Sequence, residues 1–403
     1  MENVLDVFKQ RGLLKQTVYE DELYEKLGKE SVTFYIGFDP TADSLHIGHF
    51  VQFMVIKQML KYGHKAIILL GGGTGMVGDP TDKTQMRELM TTDVIDDNCR
   101  HFVKQMSKYL DFNDTNCRIV NNADWLRDLN YISFLREIGV YFSVNKMLTA
   151  ECYRSRMEKG LSFLELNYML MQAYDFLMLN RLYGCQVELG GDDQWSNILA
   201  GADLIRRKEQ KPAYAMTFAL LENKEGKKMG KTSSGAIWLD ENKTTPYEFY
   251  QYWRNIDDAD VAKTFKVLTF LPVEEIEELT KYNDERMNMA KVRLAYEITK
   301  IIHGESKAQL AKQQAEAAFN GATENMQSIT LSAQTVHNVI DVLIASKFAL
   351  SKGEAKRLIE GGGVSIDDHK ITQFDQPIPQ CALDKGEFVI HKGKKNHLKI
   401  VLE

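Results

Sequence analysis

Two short apolar segments early in the chain have the pattern of buried parallel strands. Residues 32–38 (VTFYIGF) and 65–70 (KAIILL) are rich in apolar and β-branched side chains, and each runs into glycine or Asp-Pro. Between them, apolar residues recur at helical spacing from about Leu45 to Tyr62. This strand–helix–strand order predicts an α/β fold with a Rossmann-like, doubly wound parallel sheet.

A further helix, strand and helix extend this domain. Apolar spacing predicts a helix from about Phe163 to Leu182 and another from about Trp195 to Arg207, with the strand-like segment CQVELGG between them. The first of these helices carries three polar residues, Tyr168, Gln172 and Asp175, at i, i+4 and i+7 on one face. Such a stripe among apolar neighbours must find partners in the core or face a cavity, and spacing alone leaves both readings open.

The hydrophobic pattern changes after Pro246. Residues 247–319 are charged and amphipathic, as is typical of a small helical domain, and the following GATENMQSITLSAQ is polar and lacks aromatic residues. At the end of the chain, a helix at 352–360 is predicted to stop at three glycines before strand-like VSID. The predicted domains are an α/β domain (1–246), a helical domain (247–320), a linker (321–334) and a C-terminal α+β domain (335–403).

Length, charge and cysteines limit the class of protein. A chain of 403 residues suits two or three domains, and its net charge of −6 does not exclude RNA binding through a local basic patch. The five cysteines are scattered and form no CxxC pair, which argues against a disulfide framework or a metal site. No segment has the pattern of a signal peptide or a membrane span. We therefore expect a cytoplasmic protein with neither a metal site nor a membrane partner.

The segment 46–49 (HIGH) opens the helix that follows the first strand. Its histidines, His46 and His49, stand three positions apart and share one face of the first turn. A helix N-terminus after a parallel strand attracts phosphate through its free N–H groups and its dipole, and Gly48 leaves room for a nucleotide against the backbone. Two ordinary helical histidines are the alternative for this segment alone.

A basic segment, KEGKKMGKTSSG, places Lys228 and Lys231 three positions apart in a glycine-rich loop. Two such lysines can close on a triphosphate and stabilise the charge of departing pyrophosphate. The letters GKT do not make a P-loop, because only three residues separate Gly226 from the next glycine and no strand precedes it. Taken alone, the segment has the composition of a solvated basic loop.

These two segments, in this order and about 180 residues apart, resemble the HIGH and KMSKS signatures of class I aminoacyl-tRNA synthetases. The resemblance covers nearly the whole chain and is closest to the tyrosyl-tRNA synthetases. The last unit, SKGEAKRLIEGGGVSID, resembles the small RNA-binding domain shared with ribosomal protein S-four. The other family-like segments, in the family's order, are YIGFDPTADSLHIGH, LLGGGTGMVGDP, YMLMQAYDF, GGDDQWSNI, KMGKT and TPYEFYQYW.

The resemblance implies a tyrosine–tRNA ligase. In that family the tyrosine carboxylate attacks the α-phosphate of Mg-ATP, which gives tyrosyl-adenylate and pyrophosphate, and the 2′-hydroxyl of the terminal adenosine of tRNA(Tyr) then takes the tyrosine. The reaction needs no protein nucleophile and no organic cofactor, because the site acts by positioning and by stabilising phosphate charge. The family also implies a homodimer, with an interface formed by residues of about 121–156.

The same resemblance assigns roles residue by residue. For tyrosine, the phenol contacts are Tyr35 and Asp175, and the contacts at the amino end are Asp79, Tyr168 and Gln172. The groups that hold the leaving phosphates are Thr41, His46, Lys228, Lys231 and Thr232, with Lys83 and Arg87 as weaker candidates. The remaining nucleotide contacts are Asp39, Gly48, His49, Gly191, Asp193 and Gln194. Basic residues of the last unit that we expect to contact tRNA are Lys352, Lys356, Arg357, Lys394 and Lys395.

Two departures and two alternatives accompany this reading. Asp192 stands where many family members have serine, and Glu188 stands where glutamine is common, which leaves the hydrogen bonding near the ribose and the substrate open. A tryptophanyl-tRNA synthetase shares the fold and both signatures, but it lacks the phenol-binding pair and usually the C-terminal RNA-binding domain. A synthetase-like RNA-binding protein without catalysis would be expected to lose a signature histidine or lysine, and none is lost here.

Overall fold

The computed structural model divides the chain into two compact units. The first comprises Met1–Thr245 and Trp253–Leu294, and the second comprises Pro246–Tyr252 and Ala295–Glu403. The residues that the structure describes are 3–81, 89–157, 160–232, 235–320, 328–332, 336, 338–367, 369–374, 376–393 and 396–403.

The strands of the first unit are β1 (Leu14–Thr17), β2 (Thr33–Phe38), β3 (Lys65–Leu70), β4 (Cys117–Asn121), β5 (Val187–Gly191), β6 (Tyr214–Phe218), β7 (Lys231–Thr232) and β8 (Gly235–Ala236). Its helices are α1 (Val4–Gln10), α2 (Glu20–Lys29), α3 (Ile47–Lys61), α4 (Thr92–Met106), α5 (Ala123–Leu126), α6 (Tyr131–Glu137), α7 (Val144–Leu148), α8 (Glu151–Met157), α9 (Phe163–Leu166), α10 (Tyr168–Tyr183) and α11 (Trp195–Lys208). Further along the chain follow α12 (Pro246–Arg254), α13 (Asp258–Leu268), α14 (Val273–Thr280) and α15 (Arg286–His303), of which α12 and α15 span both units. Short 3₁₀ turns occupy Thr74–Met76, Gly139–Tyr141 and Asp192–Gln194.

The main sheet has the doubly wound order that the sequence predicts. Five strands run parallel in the order β6-β5-β2-β3-β4, and β1 pairs antiparallel with β6 at one edge. From the central β2 the chain passes to β3 and β4 on one side and later to β5 and β6 on the other. A ligand crevice is therefore expected beyond the carboxyl ends of β2 and β5, where the strand order reverses. The predicted strands at 32–38 and 65–70 are confirmed as β2 and β3.

The helix predicted from Phe163 to Leu182 is two helices, α9 and α10. The hydroxyl of Tyr153 donates to the carbonyl of Leu166 at 2.9 Å, and the Asn167 side chain donates to the carbonyl of Phe163 at 2.6 Å. Both carbonyls are thus engaged by side chains at the end of α9, which accounts for the break. The polar stripe of Tyr168, Gln172 and Asp175 lies intact on α10.

The boundary predicted at Pro246 differs from the division of the structure. Helices α13 and α14 belong to the first unit, where the buried guanidinium of Arg11 donates to the carbonyls of Lys266, Thr269 and Leu271 at 3.0, 2.9 and 2.6 Å. These bonds join the C-terminal end of α13 to the start of the chain, and no local sequence pattern announces a contact across some 255 positions. Within the described residues, no helix is long and apolar enough to cross a membrane.

The second unit contains a five-stranded sheet of order β11-β10-β12-β13-β9, in which β9 pairs parallel with β13 and the other pairs are antiparallel. The predicted linker 321–334 is wrong at β9, because Ile329 and Leu331 alternate inward and pack on this unit's core despite the polar composition around them. The strands are β9 (Ser328–Leu331), β10 (Val364–Ile366), β11 (His369–Lys370), β12 (Glu387–Lys392) and β13 (Asn396–Leu402). The helices are α16 (Glu305–Asn320), α17 (Val339–Ala345), α18 (Lys352–Glu360) and α19 (Gln380–Lys385).

Candidate active site

A cleft of about 430 Å³ lies at the carboxyl ends of β2 and β5, where the reversal of strand order predicts a ligand site. It collects predicted residues from segments that are far apart in the sequence. Those that line it are Tyr35, Asp39, Thr41, His46, Gly48, His49, Asp79, Tyr168, Gln172, Asp175, Gly191, Asp193, Gln194 and Lys228. Glu188 and Asn122, to which we had assigned no role, line it as well.

The deepest part of the cleft holds a carboxyl group with two dedicated donors. Asp175 is 2% exposed and accepts hydrogen bonds from Asn122 Nδ2 at 2.8 Å and from Trp125 Nε1 at 2.7 Å. Burial raises the pKa of Asp175 to about 8, and the two donors act in the opposite direction. Neither donor is among the residues predicted from the sequence. Polar residues directly after β4, at the carboxyl edge of the sheet, were the available signal.

Tyr35 lies on β2, the central strand of the sheet, and its side chain is near Asp175. Its ring is buried against Phe176, with centroids 5.4 Å apart, and its hydroxyl is buried without a hydrogen-bond partner. Burial raises the pKa of Tyr35 well above its usual value, and the Glu188 carboxyl, through its charge and its direct interaction with the hydroxyl, adds to this effect together with Asp175. Tyr35 therefore presents a protonated hydroxyl to the cleft.

A hydrogen-bonded network leads from Asp175 to the next part of the cleft. Asn122 Nδ2 also donates to Thr74 Oγ1 at 3.0 Å, and Thr74 donates to Asp39 at 3.0 Å. Asp39 in turn accepts from the Tyr168 hydroxyl at 2.8 Å. Asp39, expected at the nucleotide, is thus also a partner of Tyr168, which we expected at the amino end of tyrosine.

A second carboxylate closes this part of the cleft. Asp79 accepts from Gln194 Nε2 at 2.6 Å and from the backbone N–H of Thr81 at 2.9 Å. Gln194, which the resemblance places near the substrate or the ribose, is oriented by Asp79 and by Asn197 Nδ2, which donates to Gln194 Oε1 at 3.2 Å. The carboxylates of Asp39 and Asp79 both line the cleft, so it can receive a cation there.

Gln172 and Glu188 face each other across the cleft wall. Gln172 Nε2 donates to Glu188 Oε1 at 3.0 Å, whereas Gln172 Oε1 and Glu188 Oε2 are buried without partners. Glu188 is 1% exposed, and burial raises its pKa to about 8. This pair occupies the position where the sequence analysis left the hydrogen bonding open.

The HIGH segment forms the N-terminus of α3. His46 is the N-cap residue: its Nδ1 accepts the N–H of Gly48 at 3.0 Å, and His49 Nδ1 accepts the N–H of His46 at 3.1 Å. A Cβ at Gly48 would lie 2.7 Å from His46 Cε1. The glycine therefore makes room for the His46 ring, in addition to the room for a nucleotide that the sequence suggests. Because each Nδ1 accepts a backbone N–H, Nε2 of each ring is left as the donor that can face the cleft.

His49 is held in its neutral form. Burial lowers the pKa of His49 well below its usual value, and any positive charge on the His46 ring, with its centroid 4.1 Å away, would lower it further. His49 is therefore a neutral ring whose Nε2–H can donate to an acceptor in the cleft.

The KMGKT segment is tied to that helix start by backbone hydrogen bonds. The N–H of Ile237 donates to the carbonyl of Gly230 at 2.9 Å, and the N–H of Ile47 donates to the carbonyl of Ile237 at 3.0 Å. Gly230 has a φ of +86°, and a Cβ there would lie 2.4 Å from Ile47 Cγ1. The structure thus brings the two signature segments together. Lys231 and Thr232 form β7, but their side chains lie outside the described residues, as do Lys83 and Arg87 entirely.

The charged pair at the mouth of the cleft consists of Lys228 and Asp193. Their Nζ and Oδ2 atoms are 3.0 Å apart, and the two side chains are 40% and 21% exposed. We expected these residues at the phosphates and at the ribose, respectively. An ion pair this exposed contributes at most about 1 kcal/mol, so a nucleotide can displace it at little cost.

Asp192, one of the two departures, faces away from the cleft. Its Oδ1 accepts from Gln16 Nε2 and from Thr217 Oγ1, each at 2.8 Å. The carboxylate therefore fastens the turn after β5 to β1 and β6, and it does not line the cavity.

The predicted tRNA contacts lie in the second unit. Lys352, Lys356 and Arg357 are exposed on α18, and Lys356 Nζ lies 4.4 Å from the centroid of the Phe374 ring. Lys394 and Lys395 lie outside the described residues.

Comparison with known proteins gives this geometry a family. The family model for class I tRNA synthetases (W and Y) matches residues 27–320, and a model of the tyrosine–tRNA ligase SYY-like C-terminal domain matches residues 318–400. The tyrosine–tRNA ligases of Clostridium botulinum and Clostridium kluyveri are 57% and 56% identical to this chain, over the full length of both proteins in each case.

Solved structures show the same fold. The C-terminally truncated mitochondrial tyrosyl-tRNA synthetase of Aspergillus nidulans is 30% identical, with a TM-score of 0.70, over 78% of this chain and 94% of that one. The tryptophanyl-tRNA synthetase of Encephalitozoon cuniculi, bound to tryptophan, is 14% identical with a TM-score of 0.56, over 76% of this chain and 87% of that one. The fold alone therefore does not distinguish tyrosine from tryptophan enzymes.

The fold and the two joined signature segments define a class I aminoacyl-tRNA synthetase. Since the match to the Clostridium enzymes runs from end to end, the chain belongs to the tyrosine–tRNA ligase family of that class. Its function is accordingly the ATP-dependent attachment of tyrosine to tRNA, and this assignment outweighs both the tryptophan alternative and the non-catalytic one.

Proposed function

We propose that the cleft of the first unit binds L-tyrosine with its phenol between Tyr35 and Asp175. The observation that carries this assignment is the buried, unpartnered hydroxyl of Tyr35 beside the buried carboxyl of Asp175 in one cavity. A phenol would satisfy both groups, because its oxygen accepts from Tyr35 and its hydroxyl donates to Asp175. The ring of a bound tyrosine would then lie on the apolar side of the same cavity, which includes Leu69 and Ile198.

The amino end of tyrosine is assigned to the opposite part of this subsite. Asp79 supplies a carboxylate for the ammonium group, and Tyr168 and Gln172 line the same cavity from one face of α10. Asp39, held by Tyr168 and Thr74, adds a second carboxylate near this end. Two carboxylates favour a cationic group and disfavour an amino acid analogue that lacks its ammonium.

Mg-ATP is assigned to the mouth of the cleft. The Nε2–H donors of His46 and His49, together with the N-terminus of α3, would stabilise charge on the phosphates as pyrophosphate leaves. Thr41 and Lys228 line the same cavity. Lys231 and Thr232 follow Lys228 in the KMGKT segment, which backbone hydrogen bonds join to the start of α3. Asp193 would bind the ribose once the nucleotide has displaced Lys228 from it, with Gly191 giving the sugar close access to the backbone. The magnesium ion arrives with the nucleotide.

Pyrophosphate exchange into ATP, tested with each of the twenty amino acids, examines this assignment. Tyrosine should support exchange well above every other amino acid, including phenylalanine and tryptophan. Asp79→Asn should raise the KM for tyrosine much more than the KM for ATP, and His46→Asn should do little to either KM while lowering kcat. Equal exchange with tyrosine and phenylalanine would refute the phenol site.

The second unit is proposed to bind tRNA(Tyr) as an S-four-like domain. The basic side chains Lys352, Lys356 and Arg357 share the exposed α18, and phosphate contacts of this kind weaken as salt rises. Replacing all three by alanine should lower tRNA charging and flatten its salt dependence, with pyrophosphate exchange unchanged. Charging with an unaltered salt slope would remove α18 from the RNA interface.

We also propose a cytoplasmic homodimer. Between residues 131 and 164, in and beside the predicted interface 121–156, several large apolar side chains are exposed, which favours a covered surface. All five cysteines are free, as suits a reducing compartment. Val140→Asp should shift the protein to monomers in sedimentation, whereas Val94→Asp, on an exposed valine of α4 outside this region, should not. The exposed side chains are Tyr131, Ile132, Val140, Val144, Met157, Phe163 and Leu164.

A further inference from the structure

Three buried polar atoms line the tyrosine subsite without a hydrogen-bond partner. They are the hydroxyl oxygen of Tyr35, Oε1 of Gln172 and Oε2 of Glu188. Tyr35 and Glu188 are direct neighbours in the register of β2 and β5. Buried polar atoms are stable only when they are paired, so these three indicate contacts that form when a polar ligand binds.

The carboxyl group of Glu188 sits in a shaped slot. A Cβ at Gly201 on α11 would lie 2.7 Å from Glu188 Oε2 and 3.1 Å from Phe176 Cδ1, so the glycine makes room for the carboxyl. On the other side, Gln172 Nε2 donates to Oε1 at 3.0 Å, which leaves Oε2 as the free atom. The side chain is thus held with one oxygen engaged and the other available beside Tyr35.

The neighbours of Glu188 decide which carboxyl of the subsite carries the negative charge. Asp175 on α10 accepts from two N–H groups held in place by the scaffold, whereas Glu188 accepts from Gln172 alone at normal hydrogen-bond geometry, with the nearby Tyr35 hydroxyl also lowering its pKa. The other titratable groups that face Glu188 are Tyr35 on β2 and Cys185 before β5, and no cation acts on it within the described part of the cleft. Burial raises the pKa of both carboxyls to about 8, and negative charge on Asp175 contributes to the rise at Glu188, so the two groups compete for one proton. The two N–H donors fixed on Asp175 favour the charge there and the proton on Glu188.

We propose that Glu188 is a positioning residue for amino-acid selection, a neutral carboxylic acid that fixes the direction in which Tyr35 donates. This inference rests on the phenol site proposed above. When tyrosine binds, Glu188 Oε2–H donates to the Tyr35 oxygen, Tyr35 O–H donates to the phenol oxygen, and the phenol O–H donates to the Asp175 carboxylate. Each hydroxyl then donates once and accepts once. Phenylalanine breaks this chain in the middle: the Tyr35 proton has no acceptor, and Asp175 keeps Asn122 and Trp125 but loses the phenol as a third donor.

The chain of donors explains why an amide is the natural substitute at this position. In Glu188→Gln, the side-chain oxygen can accept from Gln172 and the amide nitrogen can donate to Tyr35, whatever the pH. Ionised Glu188, by contrast, has no proton to give, and it makes Tyr35 point toward it and away from the substrate. The wild-type enzyme should therefore lose tyrosine affinity on deprotonation of Glu188, and E188Q should not.

The test is the KM for tyrosine in pyrophosphate exchange, measured for wild type and E188Q from neutral pH to well above the Glu188 pKa of about 8. At neutral pH the two KM values should agree within about twofold, and the ratio of wild type to E188Q should rise toward tenfold per pH unit above that pKa. Titration of the tyrosine amino group and of Asp175, whose pKa is also about 8, occurs in both variants, so the ratio isolates the titration of Glu188. The KM for ATP, measured in the same assays, serves as the internal reference that shows whether the pH effect is confined to the tyrosine subsite.

A second variant covers the case in which E188Q alters packing. Glu188→Leu removes the donor at every pH and should lower the ratio of tyrosine to phenylalanine activation by about fivefold or more, as expected for one lost hydrogen bond in a chain. A ratio of KM values that stays constant with pH, or an E188L enzyme that discriminates as wild type does, would overturn the role of Glu188. Failure of the wild-type enzyme to exchange with tyrosine would instead overturn the phenol site itself.

Discussion

Removal of the Tyr35 hydroxyl should have opposite effects on stability and on selectivity. This hydroxyl is buried at 2% exposure and has no hydrogen-bond partner of normal geometry among the described protein groups, with the Glu188 carboxyl as its nearest polar neighbour across β2 and β5. Tyr35→Phe therefore deletes an unsatisfied polar group and keeps the ring that packs on Phe176. Most substitutions at a buried aromatic residue destabilise a protein, so stabilisation here would be diagnostic.

The magnitudes follow from hydrogen-bond energetics. A buried polar group without a partner costs about 1–3 kcal/mol, and because Tyr35 lies in a cavity that water can enter, we expect Y35F to gain at most about 1 kcal/mol in the free energy of unfolding. With tyrosine bound, the same hydroxyl makes one neutral hydrogen bond to the phenol, worth about 0.5–1.5 kcal/mol. The kcat/KM for tyrosine should accordingly fall about two- to tenfold, and that for phenylalanine should hold or rise.

The assay is pyrophosphate exchange with each amino acid, alongside urea unfolding. Tyr153→Phe is the matched control, because Tyr153 is fully buried in the same core but its hydroxyl donates to the Leu166 carbonyl at 2.9 Å. This control should lose about 1 kcal/mol of stability and keep the tyrosine-to-phenylalanine ratio. If Y35F is destabilised as much as Y153F, or if its ratio equals that of wild type, the hydroxyl of Tyr35 does not read the phenol.

Three further outcomes are expected. His49→Ala should lower the rate of adenylate formation with little effect on tyrosine affinity. His46→Asn keeps an N-cap but lacks an Nε2 donor, so it should lower the rate in the same way and lose less stability than His46→Ala. An unchanged rate constant in single turnover would contradict these roles. A chain ending at Asn320, before β9, should still exchange pyrophosphate but charge tRNA poorly, and full charging at physiological salt would contradict the RNA role of the second unit. Because the pKa of Glu188 is raised from 4.5 to about 8 in the folded state, its contribution is complete below about pH 4.5 and is lost as pH rises to about 8. E188Q should therefore gain on wild type by roughly 1 kcal/mol per pH unit across that window in urea unfolding and by nothing more above it, and a pH-independent difference would contradict the burial of a proton there.

The parts of the fold that local pattern dictates were predictable. Strands β2 and β3 are continuous apolar runs because both faces of a parallel sheet are covered, and such runs are visible in one sequence. Strand β9 was missed because two apolar residues in a polar segment carry little signal, and its pairing partner β13 lies some 70 residues further on. Placement of α13 with the first unit depends on the Arg11 guanidinium and three carbonyl groups, a contact that leaves no periodic trace.

Residues that contact the substrate directly could be predicted from the sequence. Residues whose role is to hold another side chain of the site in place could not. Tyr35, Asp79 and Asp175 line the cleft as the family resemblance implies. Asn122 and Trp125 were not foreseen, because their role is to donate to Asp175, and nothing in the sequence links them to a helix about 50 positions away. The ion pair between Lys228 and Asp193 was not predicted for the same reason.

Asp192 and Glu188, the two residues that differ from the family pattern, have different surroundings because they face different sides of β5. Asp192 stands just beyond the end of β5 and is bound by Gln16 and Thr217 from neighbouring strands, so a serine there could serve the same fastening purpose with a hydroxyl. Glu188 points into the cleft with one oxygen unpaired, where the change from amide to acid alters the number of protons available to Tyr35. When one hydrogen-bond acceptor replaces another, as at position 192, the surrounding donors can keep their bonds. A substitution that replaces a fixed donor by a titratable one makes substrate selection depend on pH, and for that reason Glu188 is the position in this cleft where the chain should differ measurably from relatives that carry glutamine.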